Sequence, residues 1–293
     1  LKKETLMNHL TKFGAVAFAL VAAQSAHALD FFAITADQQL VRFDADTPGT
    51  ISSTVSLSGF QTGETILGID TRPATGELFA LGSSSRLYRI DTTTGSATQV
   101  GSTLSTSLNG TSFGFDFNPL VDRIRVTSNT GQNLRLNPDT GAVAAVDGTL
   151  AYAAGDPNAG QTPSIVASAY TNNFAGTTAT TLFNIDSNGD RLVTQNPPNA
   201  GTLNTIGSLG LDVTDVSGFD LVTRDGVNSA FAALNVTGQT STGFYAINLS
   251  TGSAALVGQF QGNITAVAAV PEPATALALL LGLPFLRRRS AKK

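Results

Sequence analysis

Three carboxylates recur at the end of one short motif: Gly68-Ile69-Asp70, Gly114-Phe115-Asp116 and Gly218-Phe219-Asp220. Hard oxygen donors converging from three places on a chain could hold Ca²⁺ or a polar ligand. The same residues have a plainer use. Asp70 and Asp116 each stand three residues before a proline, Pro73 and Pro119, where an aspartate commonly starts a turn. A second acidic run, Asp186-Ser187-Asn188-Gly189-Asp190, opens like a calcium loop, D-x-[DN]-x-[DN]. Its sixth position is Arg191 instead of glycine and its twelfth is Pro197 instead of an acid, which favours a plain hairpin turn.

Other chemistry is excluded by composition. Both histidines, His9 and His27, precede residue 29, and residues 29–270 contain no His, Cys, Lys, Met or Trp. Ser–His–Asp and Cys–His nucleophiles, Schiff-base lysines and His-ligated zinc or iron are therefore ruled out there. Catalysis would fall to Asp, Glu, Asn, Ser, Thr, Tyr and Arg. The same span holds nine arginines against 19 acidic residues, a net charge of −10. Such a surface repels phosphate backbones, so nucleic acid is not an expected partner.

The motifs sit in a repeat of short strands. Its clearest copy reads as strands A (Ile66–Asp70), B (Glu77–Leu81), C (Arg86–Asp91) and D (Ala97–Val100). A second copy has Phe113–Asp116, Asp122–Thr127, Asn133–Asn137 and Ala142–Val146. A third is looser, with Ser164–Tyr170 as A, Thr181–Asp186 as C and Arg191–Gln195 as D. A fourth has Gly218–Thr223, Ala230–Asn235, Gly243–Asn248 and Ala254–Phe260. Strand C ends at Asp44, Asp91, Asn137, Asp186 and Asn248, at spacings of 47, 46, 49 and 62. Four-stranded repeats of this size are propeller blades. The count is five, or six if the excursion Asn196–Val216 forms strands of its own.

The ends of the repeat complete each other. Phe31–Thr35, Leu40–Asp44 and Ile51–Leu57 supply B, C and D without an A, and Ile264–Pro271 aligns with Ile66–Pro73 without a B, C or D. Pairing of head and tail within one blade closes the ring and removes its free edges. Equivalents of the aspartates in the third and first blades are Ala169 and Ala268, so a full ring of carboxylates is absent.

Segments outside the repeat concern export. Lys2, Lys3 and Lys12 precede an apolar run, Phe13–Ala23, followed by Ala26-His27-Ala28. This is the pattern of a secretory signal peptide over residues 1–28, cleaved after Ala28 and read by the Sec translocon. Residues 271–293 contain Pro271-Glu272-Pro273, an apolar stretch from Ala274 to Leu286, and Arg287-Arg288-Arg289. Thirteen residues span about 20 Å as a helix, short of a hydrocarbon core of ~30 Å, so transient inner-membrane contact through 274–286 is expected.

The tail resembles the PEP-CTERM sorting signal of Gram-negative bacteria, carried by Val-Pro-Glu-Pro, the apolar segment and the three arginines; the apolar segment is shorter than usual. That resemblance implies an exosortase partner, cleavage near Pro271–Pro273, delivery to the outer surface or extracellular matrix, and association with exopolysaccharide and biofilm. Residues 29–270 resemble the domain-of-unknown-function 4394 family, through Leu67-Gly-Ile-Asp70, Ala167–Asn173, Leu192–Gly207 and Phe244–Gly258. That family implies a propeller-like fold and no activity. The expected function is a non-enzymatic module binding matrix polysaccharide, without catalytic residues or cofactor. The alternative is a hydrolase or lactonase-like enzyme with a channel metal, such as Ca²⁺, held by Asp and Asn.

Overall fold

In a computed structural model, residues 29–270 are described, and their regular structure is β strand apart from one 3-10 turn at Pro198–Ala200. In chain order the strands are β1 (Asp30–Thr35), β2 (Gln39–Asp44), β3 (Ile51–Ser56), β4 (Ile66–Thr71), β5 (Leu78–Gly82), β6 (Arg86–Ile90) and β7 (Ala97–Val100). Next come β8 (Phe113–Asn118), β9 (Arg123–Ser128), β10 (Asn133–Leu136), β11 (Val143–Val146), β12 (Ala151–Tyr152), β13 (Ile165–Tyr170), β14 (Leu182–Asp186), β15 (Arg191–Gln195) and β16 (Thr202–Ser208). Last are β17 (Val213–Arg224), β18 (Val227–Val236), β19 (Gly243–Ile247), β20 (Ala254–Gln259) and β21 (Ile264–Ala269). The signal-peptide and sorting-signal segments, 1–28 and 271–293, lie outside the described residues.

The strands make five antiparallel blades around one axis: β21-β1-β2-β3, β4-β5-β6-β7, β8-β9-β10-β11, β13-β14-β15-β16 and β17-β18-β19-β20, here blades I to V. Blade I is closed as the ends of the sequence require. β21 pairs with β1, Phe31 opposite Ala269 and Ala33 opposite Val267. The seam between blades V and I is filled by Phe31, Phe43, Phe231, Phe244 and Phe260, with ring centroids 4.9 Å apart for Phe43–Phe260 and 5.3 Å for Phe31–Phe244. Aromatic pairs at these distances contribute about 0.5–1.5 kcal/mol beyond area burial.

Blade IV corrects the sequence reading. Thr181–Asp186 pairs directly with the inner strand β13, so it is the second strand of its blade and Arg191–Gln195 the third. The outer strand is β16, from the excursion after Asn196, and β12 adds to it in parallel. The excursion therefore completes the fourth blade and the count stays at five.

Core side chains lie between blades, where each sheet face packs on the next. At the rim the third-to-fourth-strand turn of each blade touches the backbone of the blade before it. Gly141 at φ +68° shows why: a Cβ there would lie 2.1 Å from the carbonyl oxygen of Val100. The Asn137–Gly141 turn thus needs glycine twice, for its left-handed backbone and for the neighbouring strand. Gly95 repeats this against the Ser56 oxygen, at 2.2 Å.

All five inner strands, β4, β8, β13, β17 and β21, run in the same sense. Their starts define the mouth of the axial channel, and their ends define an exit face that also carries Leu29 and Val270.

Candidate functional site

Near the end of the inner strands, Asp70, Asp116 and Asp220 point to the axis and are each 1% exposed. One carboxylate oxygen from each lies within 4.8 Å of the others. Repetition places them there: each aspartate occupies the same step of an inner strand, and the ring brings equivalent steps together. Ala169 and Ala268 hold the corresponding places in blades IV and I, both fully buried.

The hydrogen bonds state what the carboxylates do. Asp70 Oδ2 accepts the backbone N–H of Phe117 at 2.6 Å, in the next blade. Asp116 Oδ1 accepts that of Tyr170 at 3.0 Å, and Asp220 Oδ2 that of Ala269 at 2.6 Å, each again one blade on. The alanines leave the N–H groups of Leu221 and Thr71 without a carboxylate from the preceding blade. Asp220 Oδ1 and Asp70 Oδ1 turn back on these, both at 2.6 Å. Three side chains thereby satisfy five inward N–H groups, one from every blade, at a depth where unpaired donors would be costly.

The turn role foreseen for Asp70 and Asp116 is taken by other groups. After β8 it is Asn118 Oδ1 that accepts the N–H of Leu120, at 3.0 Å. After β4 the turn closes through the Arg72 carbonyl, which accepts the N–H of Gly76 at 2.8 Å.

Burial is the first cause of the electrostatics here. It raises all three carboxyls, that of Asp220 to about 7 against the bonds from Ala269 and Leu221. Asp70 is held well above the usual range by burial and then by the Asp220 charge, and Asp116 by burial and then by both neighbours. The set fits a cation poorly. Five of its six carboxylate oxygens already accept backbone N–H groups, whereas Ca²⁺ asks for six to eight oxygens. Toward the mouth, Gly68 and Gly218 let the strands close in; a Cβ on Gly68 would stand 2.6 Å from that of Phe115. The cavity left there, about 10 Å³, is at the limit of what one water needs.

The calcium-like run at Asp186 lies at the turn between β14 and β15. Asp186 Oδ1 accepts the N–H groups of Ser164 at 2.8 Å and Asn188 at 3.1 Å, and its Oδ2 accepts the Tyr152 hydroxyl. Asp190 Oδ1 accepts the N–H of Val213 at 2.8 Å. The run is a hairpin turn, and these oxygens hold neighbouring loops.

Two features were not singled out from sequence. The mouth holds a cavity of about 230 Å³, with Gln38, Thr65, Thr111, Ser112, Asp215 and Thr265 over a floor that includes Phe113 and Val166. Asp215 is tied there to Ser187 Oγ at 2.5 Å and Ser164 Oγ at 3.3 Å. The other is Arg125, which is 2% exposed. Its guanidinium donates to Asp147 at 2.6 Å, Asn199 at 2.7 Å and Asn133 at 2.8 Å, joining blade III to the turn before β16. Single residues in polar loops and one arginine among the nine of residues 29–270 carry no spacing signal that would mark either.

The chain belongs to the family described as domain of unknown function 4394, whose model matches residues 39–269. No curated protein matches. Among solved structures it is similar to the glutaminyl cyclase of Myxococcus xanthus, at 11% identity and TM-score 0.45, over 71% of this chain and 91% of that one. It is also similar to the Dos1 propeller, at 14% identity and TM-score 0.37, over 74% and 54%. The dihydro-heme d1 dehydrogenase NirN is similar at 10% identity and TM-score 0.36, over 78% and 43%. No activity passes from these to this chain.

Proposed function

We propose that this propeller is an exported, non-catalytic binding or structural module of the cell surface or extracellular matrix, associated with exopolysaccharide. One observation carries the non-catalytic part: the carboxylates that could have been a channel site are occupied by five backbone N–H groups in a closed core. The export part is supported by the signal-peptide pattern ending at Ala28 and the Pro-Glu-Pro, apolar and triple-arginine tail. The mouth cavity supports the ligand class. Its hydroxyl, amide and single carboxylate groups match sugar hydroxyls, which take neutral donors and acceptors.

The test is binding of the secreted protein to an array of bacterial exopolysaccharides, alongside metal analysis of the same sample. Glycan binding weakened by Asp215→Ala, with less than one metal ion per chain, is the expected result. Stoichiometric metal lost on Asp70→Ala with Asp116→Ala would overturn it in favour of a metal-dependent hydrolase. An empty array without metal would leave a structural role alone.

A further inference from the structure

The exit face differs from the mouth in what its loop tips expose. Leu120 and Val121, in the turn after β8, are 47% and 52% exposed; Phe174, in the loop after β13, is 46% exposed; Val227, after the turn that follows β17, is 63% exposed. At the mouth Val216 is 45% exposed, and Ile51, Val146, Leu256 and Val257 lie exposed along the outer strands β3, β11 and β20. Scattered apolar residues are normal on a protein surface. Here, however, three consecutive blades carry them at loop tips on one face, positions that favour Gly, Pro, Asn, Asp and Ser.

The same face is where the chain leaves. The N–H of Val270 is bonded to the Asp30 carbonyl at 2.9 Å, so the last described residue is held at the end of the closing blade. Only Pro271-Glu272-Pro273 then precede the apolar stretch Ala274–Leu286 and the three arginines. Three residues reach at most about 10 Å. A tail of this composition entering a bilayer would hold the exit face, and not the mouth, against the membrane surface. Charge narrows the surface: Arg72 is paired with Asp122 and Asp139 and Arg42 with Asp30, Arg123 donates to the Asp122 carbonyl beside the Leu120–Val121 turn, and residues 29–270 carry −10 overall. Anionic headgroups would be repelled.

We propose that the exit face is a docking surface for a zwitterionic bilayer, seating Leu120, Val121, Phe174 and Val227 in the headgroup layer while the tail is inserted. This rests on the reading of the chain as exported with a membrane-directed tail. Docking orients the mouth away from the membrane, toward whatever matrix the protein meets.

The absence of tryptophan makes the test direct. Residues 29–293 carrying Phe174→Trp and, separately, Val216→Trp are reconstituted into phosphatidylethanolamine/phosphatidylcholine vesicles with and without brominated acyl chains. Protease protection of the Arg287–Lys293 end reports tail insertion in the same vesicles. With the tail inserted, roughly twofold quenching of Phe174→Trp and none of Val216→Trp is expected, because a ring at the headgroup–acyl boundary lies about 5–10 Å deep. An inserted tail with Phe174→Trp unquenched overturns the docking face and leaves the exported, tail-anchored reading standing. A blue-shifted but unquenched Phe174→Trp means that protein, the tail or a second copy, covers the face, and overturns the proposal equally. An uninserted tail with no quenching defeats both.

Discussion

Two buried charged clusters in this propeller are built on opposite terms. At the axis, three carboxylates have backbone N–H groups and one another for company but no cation side chain, and burial raises all three. Between blades III and IV, Asp147 sits with Arg125 and Arg135; burial pushes it upward too, but hydrogen bonds from Arg135 and then Arg125 outweigh this and hold it below the ordinary range. A dipole partner satisfies an acceptor without neutralising it, whereas a guanidinium does both. The axial cluster therefore favours protonation, and the inter-blade cluster favours charge.

The largest effect should come from breaking the paired cluster. Arg125→Met leaves Asn133 and Asn199 facing an apolar side chain and Asp147 with Arg135 alone, and losing one donor from a buried charged network costs about 2–4 kcal/mol. Urea unfolding should show that loss; a change under about 1 kcal/mol would mean that Arg135 and water satisfy Asp147 without Arg125.

Next is the pH dependence. The axial carboxyls are raised in the fold, so their contribution is fully present below the unfolded value near 3.8 and is lost as pH rises, for Asp220 through about 7. Asp147 and Asp156 are lowered, so theirs is present above that value and disappears only as pH falls below it. Between about pH 4 and 7 the axial cluster decides the slope, and stability should rise on acidification by roughly 1–3 kcal/mol. A melting temperature flat or falling from pH 7 to pH 5 would refute this.

The smallest effect has the less expected sign. Asp116→Asn keeps an acceptor for the Tyr170 N–H and removes one of three crowded negative charges. It should raise stability at pH 8 by about 1 kcal/mol and flatten the acid gain. Destabilisation that added Ca²⁺ reverses only in the unsubstituted protein would instead make Asp116 a cation ligand.

Much of this architecture was legible because a four-stranded pattern recurs at nearly constant spacing. The Gly-x-Asp steps, the near-even spacing of the strand C ends and the complementary ends pointed to blades, to convergence and to closure. Blade IV escaped for a physical reason. Thr181–Asp186 has the strand pattern of either a second or a third strand, and only pairing with Ile165–Tyr170 distinguishes them. The turn reading of Asp70 and Asp116 failed because local spacing to proline says nothing of donors brought by the next blade.

By itself, the sequence determined what this protein is made to repeat, which chemistries its body lacks, and which segments outside the ring bear the marks of export. Those properties are local or compositional. Tertiary structure alone decided that three aspartates would serve five N–H groups, that Arg125 would be buried between blades, and that apolar loop tips and the departing chain would share one face. Each depends on residues far apart in sequence meeting across blade boundaries, where burial and dipoles, not spacing, set what a side chain does. The Gly-x-Asp motif thus became a device for closing the axis of the ring.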